Sequence, residues 1–426
     1  MPAFGYIANV TPLKREDLLL ELLTLPTAPF REKQIFNKIS LTLNQESVPH
    51  FFDPIGNLVI GVESKRAYLE KVRKHHRGGS QEPLRVFIAH TDHPGFHGER
   101  WISDQELQIK WHGGSPTQYL EGAKVWWSDT TASPAVQMGQ GTLKKPQLDP
   151  AGRHLDSAII KLADSTVKNT KATNIFGGFA FRAPVWREQE LIYTKAADDL
   201  VGCFSVLSIA LDLWGKQRRN QKAPPFIGLL TRAEEVGFIG AIGHFQLGWL
   251  EGKSQSPRPI ICISLETSRT LPGAEIGKGP VVRLGDRFTV FDPSGLRILS
   301  ELASKALPGR HQRRIMDGGT CEASAATVYG FPSIGISIPL GNYHNQSFEG
   351  GPDASPTNGP APEFVHSQDV AGMIELCHGL VKADLAWKDP WKSKYEEFKK
   401  NFRKYKRLFD NSQVDKPRGR SKSARK

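Results

Sequence analysis

Four short apolar runs punctuate the chain: Arg85-Val86-Phe87-Ile88-Ala89, Pro225-Phe226-Ile227-Gly228-Leu229-Leu230, Pro259-Ile260-Ile261-Cys262-Ile263-Ser264-Leu265 and Pro332-Ser333-Ile334-Gly335-Ile336-Ser337-Ile338. Each is too short for a typical helix, apolar or β-branched almost throughout, and bounded by Pro, Gly or polar residues, the pattern of strands buried on both faces of a largely parallel sheet. Helical stretches such as Gly202 to Trp214 and Ser294 to Ala306 fall between them. This alternation predicts an α/β fold, a mixed sheet with helices on both faces. Upstream, Arg15 to Leu43 has helical spacing, and Asp53-Pro54 with Gly56-Asn57 marks a turn feeding a strand to Ile60. Lys71 to Gln81, with His75-His76 and Gly78-Gly79, reads as a polar loop.

From Gly98 to Tyr193 the rhythm breaks into alternating, turn-rich segments such as Tyr119 to Trp127, which predict a mostly β insertion between two strands of the main sheet. The expected organisation is an α/β body over 1–97 and 190–390, a β-rich insertion over 98–189, and a basic segment over 391–426. In that last segment Tyr395, Phe398, Phe402, Tyr405 and Phe409 recur at spacings of 3, 4, 3 and 4, one stripe of a helix with Lys and Arg on its other faces. Residues 417–426 are expected to be disordered.

The net charge of +12 suggests a nucleic-acid partner until its distribution is examined. Residues 391–426 hold fourteen Lys or Arg against four Asp or Glu, a surplus of 10, which leaves the other 390 residues at only +2. The aromatic, basic segment is therefore either a helix docked on the body or a neighbouring subunit, or an anchor for RNA, an anionic membrane or an acidic protein. No apolar run approaches the ~20 residues that span a bilayer. The first residues lack the basic, apolar and small-residue succession of a secretory signal, so a cytoplasmic protein is expected. Cys203, Cys262, Cys321 and Cys377 are scattered without framework spacing and read as reduced thiols.

Chemistry-bearing residues follow the apolar runs. The first runs into His90-Thr91-Asp92, the second into Glu234-Glu235, the third into Glu266, and the fourth is followed by Tyr343-His344; Asp198-Asp199 stands at the start of the helix after the insertion. The carboxyl ends of strands in open α/β sheets open onto a ligand crevice, so these distant groups are expected to share one site. Nitrogen and oxygen donors without Cys suit Zn, Co or Mn. Adjacent Glu234 and Glu235 permit one to bind metal while the other moves protons. Singly, each has a plainer role: Asp198-Asp199 as a helix cap, Glu234-Glu235 as acids at a helix start. Their joint order is what points to a metal site. Gly273 to Gly279 lacks the spacing and hydroxyl of a phosphate loop, and no Gly-x-Ser-x-Gly elbow is present.

The order of motifs resembles the glutamyl (deblocking, tetrahedral-type) aminopeptidase family of co-catalytic zinc exopeptidases over about residues 15 to 385. The likeness is carried by Ala89-His90-Thr91-Asp92, Lys195-Ala196-Ala197-Asp198-Asp199, Glu234-Glu235-Val236-Gly237, Gly318-Gly319-Thr320 and Ile336-Ser337-Ile338-Pro339 leading to Tyr343-His344, with Gly113-Gly114 and Leu120 to Val125 in the insertion. The resemblance implies His90, Asp198 and Glu266 on one ion and Asp198, Glu235 and His344 on the other, with Asp198 bridging. It further implies Glu234 as general base and acid, Asp92 orienting the His90 imidazole, a metal-bound hydroxide attacking the terminal peptide bond, peptide substrates, and a homo-oligomer built through the insertion. Glu322 is a candidate contact for the substrate amine. An amidohydrolase or deacylase on the same fold and a catalytically silent binding protein are the alternatives. The chain departs from the family with Glu266 in place of Asp, Leu200 in place of Arg, and a Pro- and Gly-rich stretch from Glu349 to Pro362.

Overall fold

In the computed structural model, which describes residues 13, 15–77, 82–131, 139–163, 170–217, 224–254, 259–382 and 385–409, the chain opens with two helices, α1 (Glu16–Thr24) and α2 (Lys33–Gln45). The single helix expected over Arg15 to Leu43 is broken because Pro26 and Pro29 remove amide donors and restrict the residues before them. A hairpin of β1 (His50–Phe52) and β2 (Leu58–Ile60) follows, turning at the expected Asp-Pro and Gly-Asn.

Helix α3 (Lys65–His76) takes in residues 71–76 of the stretch read as a polar loop, which corrects that part of the expectation; residues 78–81 lie outside the described residues. The Ser64 hydroxyl caps it, accepting from the Ala67 amide at 3.3 Å. Only Tyr68, Val72, His75 and His76 face inward, and the many charged residues around them hide the periodicity. His75 and His76 meet the Glu82 and Leu250 carbonyls, each at 2.9 Å.

Strand β3 (Leu84–His90) enters the main sheet and is buried at every residue. The chain then leaves to form β4 (Gly95–Trp101), β5 (Glu106–His112), β6 (Lys124–Asp129), β7 (Gly139–Leu148), β8 (Leu155–Leu162) and β9 (Ile175–Phe179), which close into a barrel in the order β4-β5-β8-β7-β6-β9. Phe96, Leu107, Ile109, Val125, Leu143, Ile160 and Phe179 are among the residues that fill it. Closure pairs each of the six barrel strands on both sides, which leaves the barrel no free edge among the described residues. The chain returns through β10 (Val185–Glu188) and β11 (Leu191–Thr194) to α4 (Leu200–Gln217).

The remaining elements are β12 (Phe226–Thr231), α5 (Ile239–Gln246), β13 (Ile260–Arg269), β14 (Val281–Asp286), α6 (Pro293–Ala306), β15 (Gln312–Met316), α7 (Glu322–Val328), β16 (Ser333–Leu340), β17 (Glu363–His366), α8 (Ser367–Leu380) and α9 (Lys392–Tyr405). The main sheet runs β1-β2-β12-β3-β13-β16-β14-β15. The four apolar runs are its central strands, adjacent and parallel to one another, while β2 and β14 join antiparallel. Phe87 and Ala89 join the core formed with α1, α2, α4, α6 and α8; Val86 and Ile88 join the core under α3, α5 and α7. Two covered faces are why these strands are apolar at consecutive positions. Strand β17 pairs with β11 in a separate three-stranded sheet.

All four cysteines are buried and unpaired. Among the described residues, no helix is long and apolar enough to cross a membrane. The disorder expected over 417–426 lies outside the described residues.

Candidate metal centre

The parallel strands deliver their polar sequels to one end of the sheet. His90 is the last residue of β3, Glu234 and Glu235 lie just past β12, Glu266 is on β13, His344 lies past β16, and Asp198 precedes α4. The structure brings all of them together. Ligand-capable atoms of His90, Asp198 and Glu266 lie within 4.8 Å of one another, as do those of Asp198, Glu235 and His344. Asp198 belongs to both groups: its Oδ1 stands 3.4 Å from His90 Nε2 and its Oδ2 stands 3.7 Å from His344 Nε2. His344 Nε2 is also 3.1 Å from Glu235 Oε2, and Glu234 Oε2 lies 3.9 Å from His90 Nε2. Neighbouring Asp199 has a separate job, accepting from the Gly202 amide at the start of α4 and from the Thr267 hydroxyl.

The segment carrying Glu234 and Glu235 is fixed by carboxylates and an amide. Asp92 accepts from the Glu234 amide at 2.9 Å and the Glu235 amide at 3.1 Å. Its Oδ1 is 3.6 Å from His90 Nδ1, whose nearest partner is the Asp92 carbonyl at 3.1 Å. Glu32 accepts from the Ala233 amide and the Arg232 guanidinium, and the Asn57 side chain accepts from the Arg232 amide. Asn57 is itself held by Asp53, whose carboxylate also takes a bond from His244 at 2.8 Å; His244 in turn meets the Tyr68 hydroxyl. Thus the β1–β2 turn, far away in sequence, supports the segment bearing the paired acids.

Three residues given no role by sequence reasoning complete the frame. Glu363 Oε2 accepts from the Ala197 and Asp198 amides at 2.7 and 3.2 Å, while its Oε1 accepts from the His344 amide at 2.9 Å. One carboxylate therefore ties together two of the three segments that supply the second ligand group, those of Asp198 and His344. His93 bridges the Asp198 carbonyl and the Asn345 side chain at 2.9 and 3.2 Å. Asn342, which precedes His344, engages Glu349 and the carbonyls of Gly350 and Pro362, so the Pro- and Gly-rich stretch buttresses the histidine loop. Glu322 is buried, accepts from the Thr231 hydroxyl at 2.9 Å, and is not among the residues lining the cleft.

The cluster is short of positive charge. Burial, then repulsion from neighbouring acids, pushes the Glu234, Glu235 and Glu266 carboxyls well above the usual range. Burial and Asp198 push Glu363 up to about 8. Burial opposes charge on His90, but Glu234, Asp198 and Asp92 outweigh it and raise its pKa; at His344 burial prevails and lowers it. Asp198 Oδ1, Glu235 Oε1 and His344 Nε2 are buried without a hydrogen-bond partner. Unsatisfied acceptors of this kind are costly unless a cation meets them. The donor set, two imidazoles and three carboxylates around a shared Asp198, fits two divalent ions. Beside it, His90, Asp198, Glu234 and Glu266 open onto a cavity of about 190 Å³ bounded by Arg283, Met316, Gly318 and Phe348 among others.

Gly114 couples the barrel to this centre. A Cβ there would lie 2.0 Å from His344 Nδ1, and the ring has little freedom to yield because it stacks on Tyr343 at 3.7 Å. If His344 holds a metal ion, Gly114→Ala is expected to weaken binding there by about 10- to 100-fold, the loss typical when a ligand's support is disturbed. Metal titration followed by calorimetry checks this; two sites of unaltered affinity would remove His344 from the ligand set.

The M42 glutamyl aminopeptidase family model matches residues 72–348. Over 193 residues the chain is 26% identical to a candidate aminopeptidase of Acetivibrio thermocellus, covering 43% of this chain and 53% of that protein, so the match spans about half the length of this curated relative. Among solved structures, the TET aminopeptidase of a marine sediment Thaumarchaeota archaeon superposes with a TM-score of 0.64 at 19% identity, covering 86% of this chain and 95% of that one. The Pyrococcus horikoshii TET1 peptidase, which can assemble into a tetrahedron or a large octahedral shell, superposes with a TM-score of 0.62 at 18% identity, covering 86% and 99%.

Proposed function

The chain belongs to the M42 glutamyl aminopeptidase family, and we propose that it is a two-metal aminopeptidase that hydrolyses residues from the amino end of peptides. The observation that carries this reading is the convergence of buried, unpartnered donor atoms of Asp198, Glu235 and His344 beside His90 and Glu266, opening onto a cleft. His90, Asp198 and Glu266 would hold one ion, Asp198, Glu235 and His344 the other, with zinc the expected metal and cobalt or manganese the substitutes. When bound, the ions supply a Lewis acid for the scissile carbonyl and lower the pKa of a water towards ~7.

The protein's own part is positioning and proton transfer. Glu234 lies on the cleft wall, its Oε2 3.9 Å from His90 Nε2. Its raised pKa, caused first by burial, suits a group that takes a proton from water and returns it to the leaving amine. Asp92 holds the Glu234 and Glu235 backbone so that one side chain is free for this transfer while the other faces His344. Glu266, longer by one methylene than Asp, reaches the group from within β13. Self-association through the barrel is proposed by analogy with the shell-forming TET1 peptidase.

A panel of aminoacyl-nitroanilides and N-acyl-amino acids, assayed after chelation and after return of Zn, Co or Mn, tests the reading. Turnover of the free-amine substrates that is lost on chelation and restored by metal is the expected result. Turnover of only the N-acyl substrates would replace the peptidase with a deacylase, and no turnover of either with a silent binding protein.

A further inference from the structure

Helix α9 is fastened to the body at its root and nowhere else among the described residues. Trp391 Nε1 donates to the Ser294 hydroxyl at 3.0 Å, and Arg297 donates to the Pro390 carbonyl at 2.6 Å and the Ser393 hydroxyl at 3.0 Å. No residue of the helix is buried. Its ion pairs are internal, Lys394 with Glu397 and Lys399 with Glu396. One side carries Tyr395, Phe398, Phe402 and Tyr405, exposed at 62, 66, 55 and 50%, and the row continues into Leu408 and Phe409 at 77 and 69%. Soluble chains rarely leave a contiguous aromatic row of this length in water unless something covers it.

Charge argues for what covers it. Residues 391–426 hold a surplus of 10 positive charges and the remainder of the chain only 2, so the body offers the helix no net complementary field and a second copy's helix would repel it. The family model ends at residue 348, so the helix lies outside the part of the chain that the family match accounts for. Along the helix, Lys399 and Lys404 lie over the Tyr395 and Tyr405 rings at 5.3 and 5.0 Å. Their ammonium groups thus sit against exposed aromatic rings, and an aromatic row interleaved with Lys and Arg is the make-up of a helix that lies in a membrane interface with its cations at headgroup level.

We propose that α9 is an interfacial anchor that places this protein on anionic lipid surfaces, with Phe398 and Phe402 entering the acyl boundary and the flanking Lys and Arg meeting lipid headgroups. Several such helices on one self-associated particle would bind together, raising the apparent affinity without any new contact.

The test is co-sedimentation of the full-length protein with phosphatidylcholine vesicles, with and without about one-third phosphatidylserine, at low and high salt. Binding to the phosphatidylserine vesicles is expected to exceed binding to phosphatidylcholine by about tenfold or more and to fall steeply with salt. It is expected to disappear on removing residues 391–426. The full-length double variant Phe398→Ser, Phe402→Ser, altered only at exposed positions, is expected to lose most of the binding while keeping its native mass and thermal unfolding. Equal binding by that variant, absence of binding by the unaltered protein, salt-sensitive binding to single-stranded RNA without binding to vesicles, or a tail deletion that changes only the oligomer mass would each overturn the proposal.

Discussion

Replacing Glu234 by Gln is expected to lower kcat by about a thousandfold, within the range that a positioned general acid–base group contributes, while leaving bound metal unchanged. The change keeps the size of the side chain and removes its ability to accept and return a proton. The backbone of Glu234 is clamped through its amide by Asp92, so the substituted side chain stays in place beside His90. In the proposed assignment neither ion loses a ligand: Glu235 is grouped with Asp198 and His344, while Glu234, which also lies within reach of His90, Glu235 and Glu266, is given the proton transfer, so metal content is the measurement that separates the two roles. Steady-state kinetics on a free-amine substrate, paired with elemental analysis of the purified variant, separates the two effects. Near-normal kcat would exclude Glu234 as the proton carrier; loss of metal together with activity would make it a ligand instead.

Glu363→Ala is expected to damage the centre from a distance. The glutamate touches neither the cleft nor any proposed ligand side chain through its carboxylate, yet it accepts from three amides on the segments that carry Asp198 and His344. Truncation leaves those buried amides unpaired, at about 1–3 kcal/mol for each unsatisfied group before any relaxation or water entry. It also frees the two segments to separate, and loss of such support typically weakens metal binding by about 10- to 100-fold. The predicted result is a lower unfolding midpoint and weaker metal retention, with activity recovered at high metal concentration. Glu363→Gln, which keeps one oxygen acceptor, is expected to fall between. If Glu363→Ala lowered kcat at saturating metal as severely as Glu234→Gln, the role assigned to Glu363 would be wrong.

How much of this was visible in the sequence depends on whether a residue's role is local. The four central strands were legible because burial on both faces forces apolar residues at consecutive positions, and ligand-type residues follow strand ends because that is where a parallel sheet opens. Helix α3 was not legible: only four of its residues face inward, and charged neighbours dilute the period. The break near Pro26 and Pro29 was readable in principle, since both prolines stand in the sequence, but amphipathic spacing on either side masked it. Glu363 and His93 act through backbone groups brought near only by folding, so no spacing points to them. Glu32 and Asn57 are alike in this respect, supporting Arg232 and Ala233 from some two hundred residues away.

The contact between Gly114 and the His344 imidazole makes the barrel more than an appended module. A hybrid enzyme that borrowed its insertion from another protein would have to preserve a residue with no side chain at that one spot, however well the two halves otherwise joined. Conversely, a small shift of the loop after β5, from a neighbouring molecule leaning on it, would be felt directly at the imidazole. Quaternary packing and turnover would then be linked through a single missing methyl group.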